Sequence, residues 1–299
     1  MELTWTMKLR IVAVATVGII LVGIIAWPWE TLPDPFGAVL VQVIGTNGAV
    51  TLLIMAFLAG LIAYFIAWPY GREIGILAVP FGLTVWAVRA GSVAALVQLN
   101  PTVEQRQMLF ETLRWEPFFW LLVVCVGFCG VAFGQKIRPG HKYEETHEKA
   151  NFSSNKYLNI VIAIVSSVLI VRFCMQLLAQ DVVVSNAVYN SIATQPAIGQ
   201  IVFSVLVSFG LVAFLVKKYL NVSYLWPILS SSLVIVYSIT TYTKSSILNH
   251  FVESWPAVFF PDVVISLLPV QVVAFGTIGS IAGYWMAVRY SYWRKHEIS

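Results

Sequence analysis

Long apolar stretches, interrupted by short polar ones, run the length of this chain. Eight of them are long enough to cross a bilayer as helices: Arg10–Trp27, Ala49–Trp68, Ile74–Leu99, Pro117–Gly134, Tyr157–Ala179, Ala197–Val216, Leu225–Leu248 and Val263–Arg289. Spanning the hydrocarbon takes roughly 20 residues at about 1.5 Å each. The runs are apolar on all sides and lack the ten-residue alternation of a membrane β-strand. The pattern predicts an all-α polytopic membrane bundle of eight transmembrane helices. The first run follows a basic N-terminal segment, as a secretory signal does. No small-x-small cleavage site precedes Trp27-Pro28-Trp29, so it reads as a retained helix.

The pattern also hints at a duplicated unit. "GFCGVAFG" in the fourth span and "GTIGSIAG" in the eighth place Gly127, Gly130 and Gly134 over Gly276, Gly279 and Gly283 at one offset of 149 residues, and the same offset lays "LRIV" over "LNIV". The expected organisation is an N-terminal four-span half (1–134), a linker (135–156) and a C-terminal four-span half (157–299). A four-span unit ends on the side where it began, so the copies would be parallel. Glycines four apart let membrane helices approach closely, which marks these six residues as helix-packing positions.

Composition agrees with the pattern: 59% of residues are hydrophobic and 11% charged, where a soluble domain carries about 25% charged. Charge then sets the expected orientation. With both termini on one side, 13 of the 18 lysines and arginines fall on that side and 2, Arg106 and Arg114, on the other. Basic loops stay cytoplasmic, so both termini are expected in the cytoplasm of an inner- or plasma-membrane protein. The net charge of +4 follows from this bias and from three cations within spans, and gives no reason to expect nucleic acid.

Those three cations are the candidate ligand-binding residues. Lys244 lies about 6 Å and Arg172 about 10 Å from the end of its run, within reach of snorkelling. Arg89 lies about 15 Å deep if Ile74–Leu99 is one helix. A charge there costs about 2.5–3.5 kcal/mol on insertion scales and needs a partner. No carboxylate falls within any of the eight runs. Gln98, Gln176, Gln271, backbone carbonyls freed by Pro80, Pro227 or Pro269, and a bound anion are the remaining acceptors. Arginine suits bidentate phosphate or carboxylate recognition. None of the three cations is duplicated at the 149 offset, so any such site would be asymmetric.

The connecting segments carry less chemistry. "NPTVEQRQMLFETLRWEP" (100–117) puts Val103, Met108, Leu109, Leu113 and Trp115 towards one side of a short interfacial helix, with Glu104, Arg106, Glu111 and Arg114 elsewhere. The aromatic segments 26–36 and 249–262 read as anchors at the membrane boundary. His141, His147 and Glu148 in the linker match no zinc spacing. Cys125, Cys129 and Cys174 read as small buried core residues rather than metal or redox ligands. Span seven is rich in hydroxyls, with Ser230, Ser231, Ser232, Thr240, Thr241 and Thr243, which commonly tie helix to helix.

No nucleophile elbow, metalloprotease helix or phosphate-binding loop occurs. The spans offer neither acid–base pairs for hydrolysis nor carboxylates for a proton relay. The chain therefore points away from an enzyme and calls for no cofactor or metal. The leading expectation is a permease or binding component for an anionic solute or lipid, held by Arg89 with Arg172 and Lys244. Its alternative is a non-catalytic scaffold subunit, partnered by other membrane proteins, with the glycine faces as assembly surfaces.

Overall fold

The computed structural model describes residues 4–27, 40–140, 156–179, 182–184, 192–194, 196–244, 248 and 263–297. Helix α1 (Trp5–Gly18) continues as a π-helical stretch, Ile19–Ile25. It is followed by α2 (Val41–Ile66), α3 (Gly71–Ile74), α4 (Ala78–Arg89), α5 (Val93–Leu99) and α6 (Val103–Ile137). The C-terminal set comprises α7 (Lys156–Leu178), α8 (Ile198–Leu220), α9 (Leu225–Tyr242) and α10 (Pro269–Glu297). Between α7 and α8 a small antiparallel hairpin pairs β1 (Val182–Val184) with β2 (Ile192–Thr194). Among the described residues, eight helical units are long and apolar enough to cross a membrane. The protein is thus a multi-pass helical bundle in contact with lipid. The face where α1 starts and α10 ends is called the terminal face, the opposite one the distal face.

Of the boundaries that differ from those expected, two matter for the site. The run Ile74–Leu99 is not one helix. Helix α4 stops at Arg89, Gly91 adopts φ 84, and Ser92 starts α5 by accepting the Ala95 N–H at 3.2 Å. A left-handed glycine after one helix and a serine cap before the next are the usual stop and start signals. Arg89 is consequently in a last turn, where a cation complements the helix dipole, and not in the middle of a span.

The second difference is α6. No separate interfacial helix precedes the fourth span: one 35-residue helix runs from a capping box, in which Thr102 and Gln105 bond each other's backbone, to Ile137. Pro117 lies inside it. Proline forfeits one backbone hydrogen bond, which membrane helices tolerate where neighbours support the chain. One buried stripe continues through it: Arg106, Leu109, Leu113, Glu116, Trp120, Val124, Gly127, Gly130 and Gly134. Met108 and Trp115, expected on the apolar side, are exposed instead, because the long helix sets its own packed face.

Helix α10 is the centre of the bundle. Of its most apolar window 72% is buried, against 22% for α1 and for α7, which present their apolar surface outward. The segment Val263–Leu268 leading into it is buried throughout. Within the N-terminal set α2 packs on α6 and α1 on α4; within the C-terminal set α8 packs on α10 and α7 on α9. The two sets meet where α4 touches α10, α6 touches α9, and α6 touches α10.

Glycine decides how close the helices come. A Cβ added at Gly130 would lie 2.2 Å from the Phe57 carbonyl oxygen and 3.1 Å from the Leu61 nitrogen. At Gly279 it would lie 2.6 Å from the Leu206 oxygen and 3.2 Å from the Gly210 nitrogen. Each residue of the second contact stands 149 positions after its counterpart in the first. Gly283 meets the Gly210 backbone, Gly276 the Phe209 ring, Gly127 the Val79 side chain, and Gly134 the Tyr64 ring. Among the described glycines, every approach closer than 3.0 Å that joins two helices joins helices of the same set.

Cys125 and Cys129 correct the expectation of buried thiols. Both are exposed, while Cys174 is half-buried. The glycine stripe takes the packed side of α6, which leaves the two cysteines on its outer side. The segments 28–39, 141–155 and 249–262, and with them His141, His147 and Glu148, lie outside the described residues.

Candidate functional site at the distal end of the bundle

A ladder of tryptophans fills the distal end of the N-terminal set. Trp27 lies 4.7 Å from Trp86 between ring centroids, Trp86 5.5 Å from Trp120, and Trp120 5.4 Å from Phe119. Trp86 donates its indole N–H to the Val22 carbonyl at 2.7 Å, anchoring α4 to the π-helical stretch. A π-helical segment leaves carbonyls displaced from the regular ladder, which suits it to receive such a donor. The Arg89 guanidinium covers the open end of this ladder, 4.2 Å from the Trp27 ring. Its position one turn beyond Trp86 removes the need for a deep counter-ion.

Among the described residues, the two buried charges are ones that the sequence pattern placed in a loop. Arg106 is 1% exposed and Glu116 5%. Arg106 donates its Nε–H to the Asn100 carbonyl at 3.0 Å and is an electrostatic neighbour of Tyr242, whose ring packs against Phe110 at 4.8 Å. Glu116 Oε1 accepts the Val41 N–H at 2.9 Å, so a side chain of α6 caps the first turn of α2. Glu116 and Trp120 lie one turn apart on α6: the indole N–H acts on the carboxyl as a donor, yet neither Trp120 Nε1 nor Glu116 Oε2, both buried, completes a hydrogen bond of regular geometry. The expectation that no carboxylate lies within a span is therefore corrected: Glu116 belongs to a continuous span-length helix. Pro117, read as a helix start, had hidden it. Its spacing from Leu113 and Trp120, three back and four on, was the signal that it shares their face.

Gln271 closes the opposite side of this end. Its side-chain oxygen accepts the Leu268 N–H at 3.0 Å at the start of α10, and its nitrogen donates to the Ala87 carbonyl at 3.1 Å in the last turn of α4. Ser232 donates to the Pro117 carbonyl at 3.3 Å, joining α9 to α6. The other five hydroxyls singled out in span seven bond carbonyls in or beside their own helix or have no described partner in another helix; Ser230 and Ser231, for instance, bond Pro227 and Ile228. Ser208, Ser238 and Ser280, on α8, α9 and α10, are buried with no partner for their hydroxyls.

The three expected ligand cations are carried by different helix pairs. Arg172 on α7 is half-buried with its guanidinium 5.1 Å from the Tyr237 ring on α9. Arg89 on α4 stacks on Trp27 at the end of the π-helical stretch. Each arginine therefore sits on an aromatic ring within its own set of helices. Lys244 is exposed just beyond α9.

The terminal end has its own cross-set cluster. Tyr224 packs edge-on against Tyr284 at 5.3 Å and Phe128 at 6.5 Å, and Lys217 lies 5.0 Å from the Tyr284 ring. Burial pushes the Tyr224 hydroxyl above the ordinary phenol range, with Arg72 opposing and Tyr284 and Glu73 adding to the shift. Among the described residues no group of three or more metal-ligating side chains gathers. Comparison with protein-family models, curated proteins and solved structures finds no match.

Proposed function

We propose that this protein is a permease whose two four-helix halves move against each other as rigid bodies. The observation that carries the reading is the contrast between its two kinds of seam. Inside each half, glycines bring backbones into contact, and such seams cannot slide without collision. Between the halves there are aromatic contacts, Phe110 with Tyr242 and Phe128 with Tyr224, and two side-chain-to-backbone hydrogen bonds. The rest of that seam is side-chain packing in a core both halves share, with no glycine-mediated backbone contact among the described residues to stop it repacking. The repeated 149-residue spacing supports descent from a duplicated four-span unit, whose halves relate by an axis along the membrane normal, as in parallel-repeat transporters.

The excess of cations favours an anionic solute or lipid. Arg89 on Trp27 and Arg172 on Tyr237 offer a cation on an aromatic platform in each half, both able to meet phosphate or carboxylate. The route itself follows the α4–α10 and α6–α9 interfaces, where Arg106 stands at the distal end. The scaffold reading is favoured by one observation, the exposed position of Arg89 at a helix end, which suits a partner's acidic group.

The test is transport by the reconstituted chain. A cysteine-free form carrying Phe110→Cys and Tyr242→Cys is assayed in liposomes against a panel of radiolabelled phosphates, carboxylates and short-chain anionic lipids. The permease reading expects uptake or flipping that stops on oxidation and returns on reduction. Movement of no compound, or movement indifferent to the tether, would contradict it.

A further inference from the structure

We propose that Glu116 is a proton-binding site, and that its proton is the ion coupled to the movement of the halves. The first part stands on the geometry around the carboxyl; the second rests on the permease reading above.

A carboxylate withdrawn from water needs positive charge or several donors to remain ionised. Glu116 is 5% exposed and receives one backbone donor, Val41 N–H, at 2.9 Å. Its second oxygen is buried without a regular hydrogen bond, and the neutral Trp120 indole N–H is the one further donor that acts on the carboxyl. No cation compensates it among the described residues. On α6 itself, Trp120 is the polar neighbour; Arg114 lies against the Trp115 ring and Arg106 bonds Asn100. From α4, Arg89 is committed to Trp27, and from α9, Tyr242 couples to Arg106. Helix α2 presents the Val41 backbone and carries no charged side chain in its first turn, and the first turns of α10 hold no titratable side chain. A proton on Oε2 is the remaining way to neutralise the group, and it costs no rearrangement because Oε1 keeps its bond to Val41.

The same geometry links the proton to movement. Val41–Ile44 is the first turn of α2, and Gly45, at φ 66, breaks the helix immediately after it. A charged carboxylate accepts the Val41 N–H more strongly than a neutral carboxyl does. Loss of the proton to water at the distal face therefore tightens the hold on this turn, and uptake loosens it. Pro117, the next residue, carries the carbonyl that Ser232 of the other half engages. A change at Glu116 thus acts one residue from a bond that joins the halves.

Infrared difference spectroscopy on the full chain in lipid nanodiscs, wild type minus Glu116→Gln at neutral pH, tests the site. The proposal expects loss of the carbonyl stretch of a protonated carboxyl; loss of an ionised carboxylate stretch instead would overturn it. Should the Gln variant fail to fold, Trp120→Phe gives the same information, since removing the neighbouring indole must shift the protonated band, and an unmoved band counts against the site. Coupling is read from spin-label distances between the halves. Raising the pH should change the wild-type distribution and leave that of Glu116→Gln fixed in its low-pH form. Two populations that ignore pH would overturn the coupling while sparing the permease reading, and a single population would overturn that reading while the infrared result still decides the proton.

Discussion

Replacing Gly130 with alanine should be among the most damaging single-methyl additions in this protein. The new Cβ would fall 2.2 Å from the Phe57 carbonyl oxygen, where ordinary contact begins near 3.4 Å, so α2 and α6 must separate by about 1.2 Å at that level. The obstacle is backbone, which no rotamer change removes. A gap of about 0.5–1 Å forfeits a quarter to a half of each dispersion contact along a seam, and overpacking typically costs about 1–3 kcal/mol. Alanine returns up to about 1 kcal/mol through its better helix propensity. The net expectation is a loss of about 2 kcal/mol, roughly thirtyfold in the folding equilibrium. Gly199→Ala is the matched control, because nothing lies within 4 Å of its added Cβ; it should be neutral or slightly stabilising. Reversible unfolding in mixed micelles, followed by tryptophan fluorescence, measures both. If Gly130→Ala and Gly199→Ala unfold alike, the close-contact seam is wrong and the two-body account loses its basis.

Other perturbations probe separate parts of the structure. Arg89→Gln should cost under about 1 kcal/mol, the scale of an exposed cation–π contact; a loss of several kcal/mol by the same unfolding assay would mean that Arg89 is buried. Trp86→Phe removes the bond to the Val22 carbonyl and leaves that acceptor buried, with an expected loss of about 1–3 kcal/mol. Gly45→Ala meets no neighbour but must hold φ 66 and ψ 175, a region essentially confined to glycine, so about 1–3 kcal/mol of backbone strain is expected without any clash. Cys125 and Cys129 should react in folded protein with lipid-soluble thiol reagents, as exposed residues of a membrane helix do; protection equal to that of a core thiol, read by mass spectrometry, would contradict their placement.

Hydropathy made the bundle legible because bilayer thickness imposes one length on every crossing helix. It located all eight spans yet misjudged several of their ends, two of them at the site. The Arg89-Ala90-Gly91-Ser92 sequence contains a glycine stop and a serine start, but its apolar surroundings disguised both. Pro117 misled in the opposite sense: it resembled a helix start, while the buried stripe from Arg106 to Gly134 runs straight through it. That stripe is a property of the packed helix and places Glu116 inside, a decision that local polarity opposes. The cysteines were misplaced for a related reason. Hydrophobicity alone does not say which side of a membrane helix meets lipid, since both sides are apolar, whereas the position of the glycines does. Which helices the three span cations share depends on tertiary pairing, and one sequence contains no signal of it.

The central claim, that two rigid halves move against each other, is tested most directly by pulsed electron spin resonance. Spin labels are placed in a cysteine-free chain at Met108 on α6 and Thr240 on α9 to span the halves, and at Met108 and Thr51 on α2 to stay within one. The account predicts a divided distance distribution across the halves and a single narrow one within the half, in lipid nanodiscs and without added solute. Equally narrow single distributions for both pairs would contradict it.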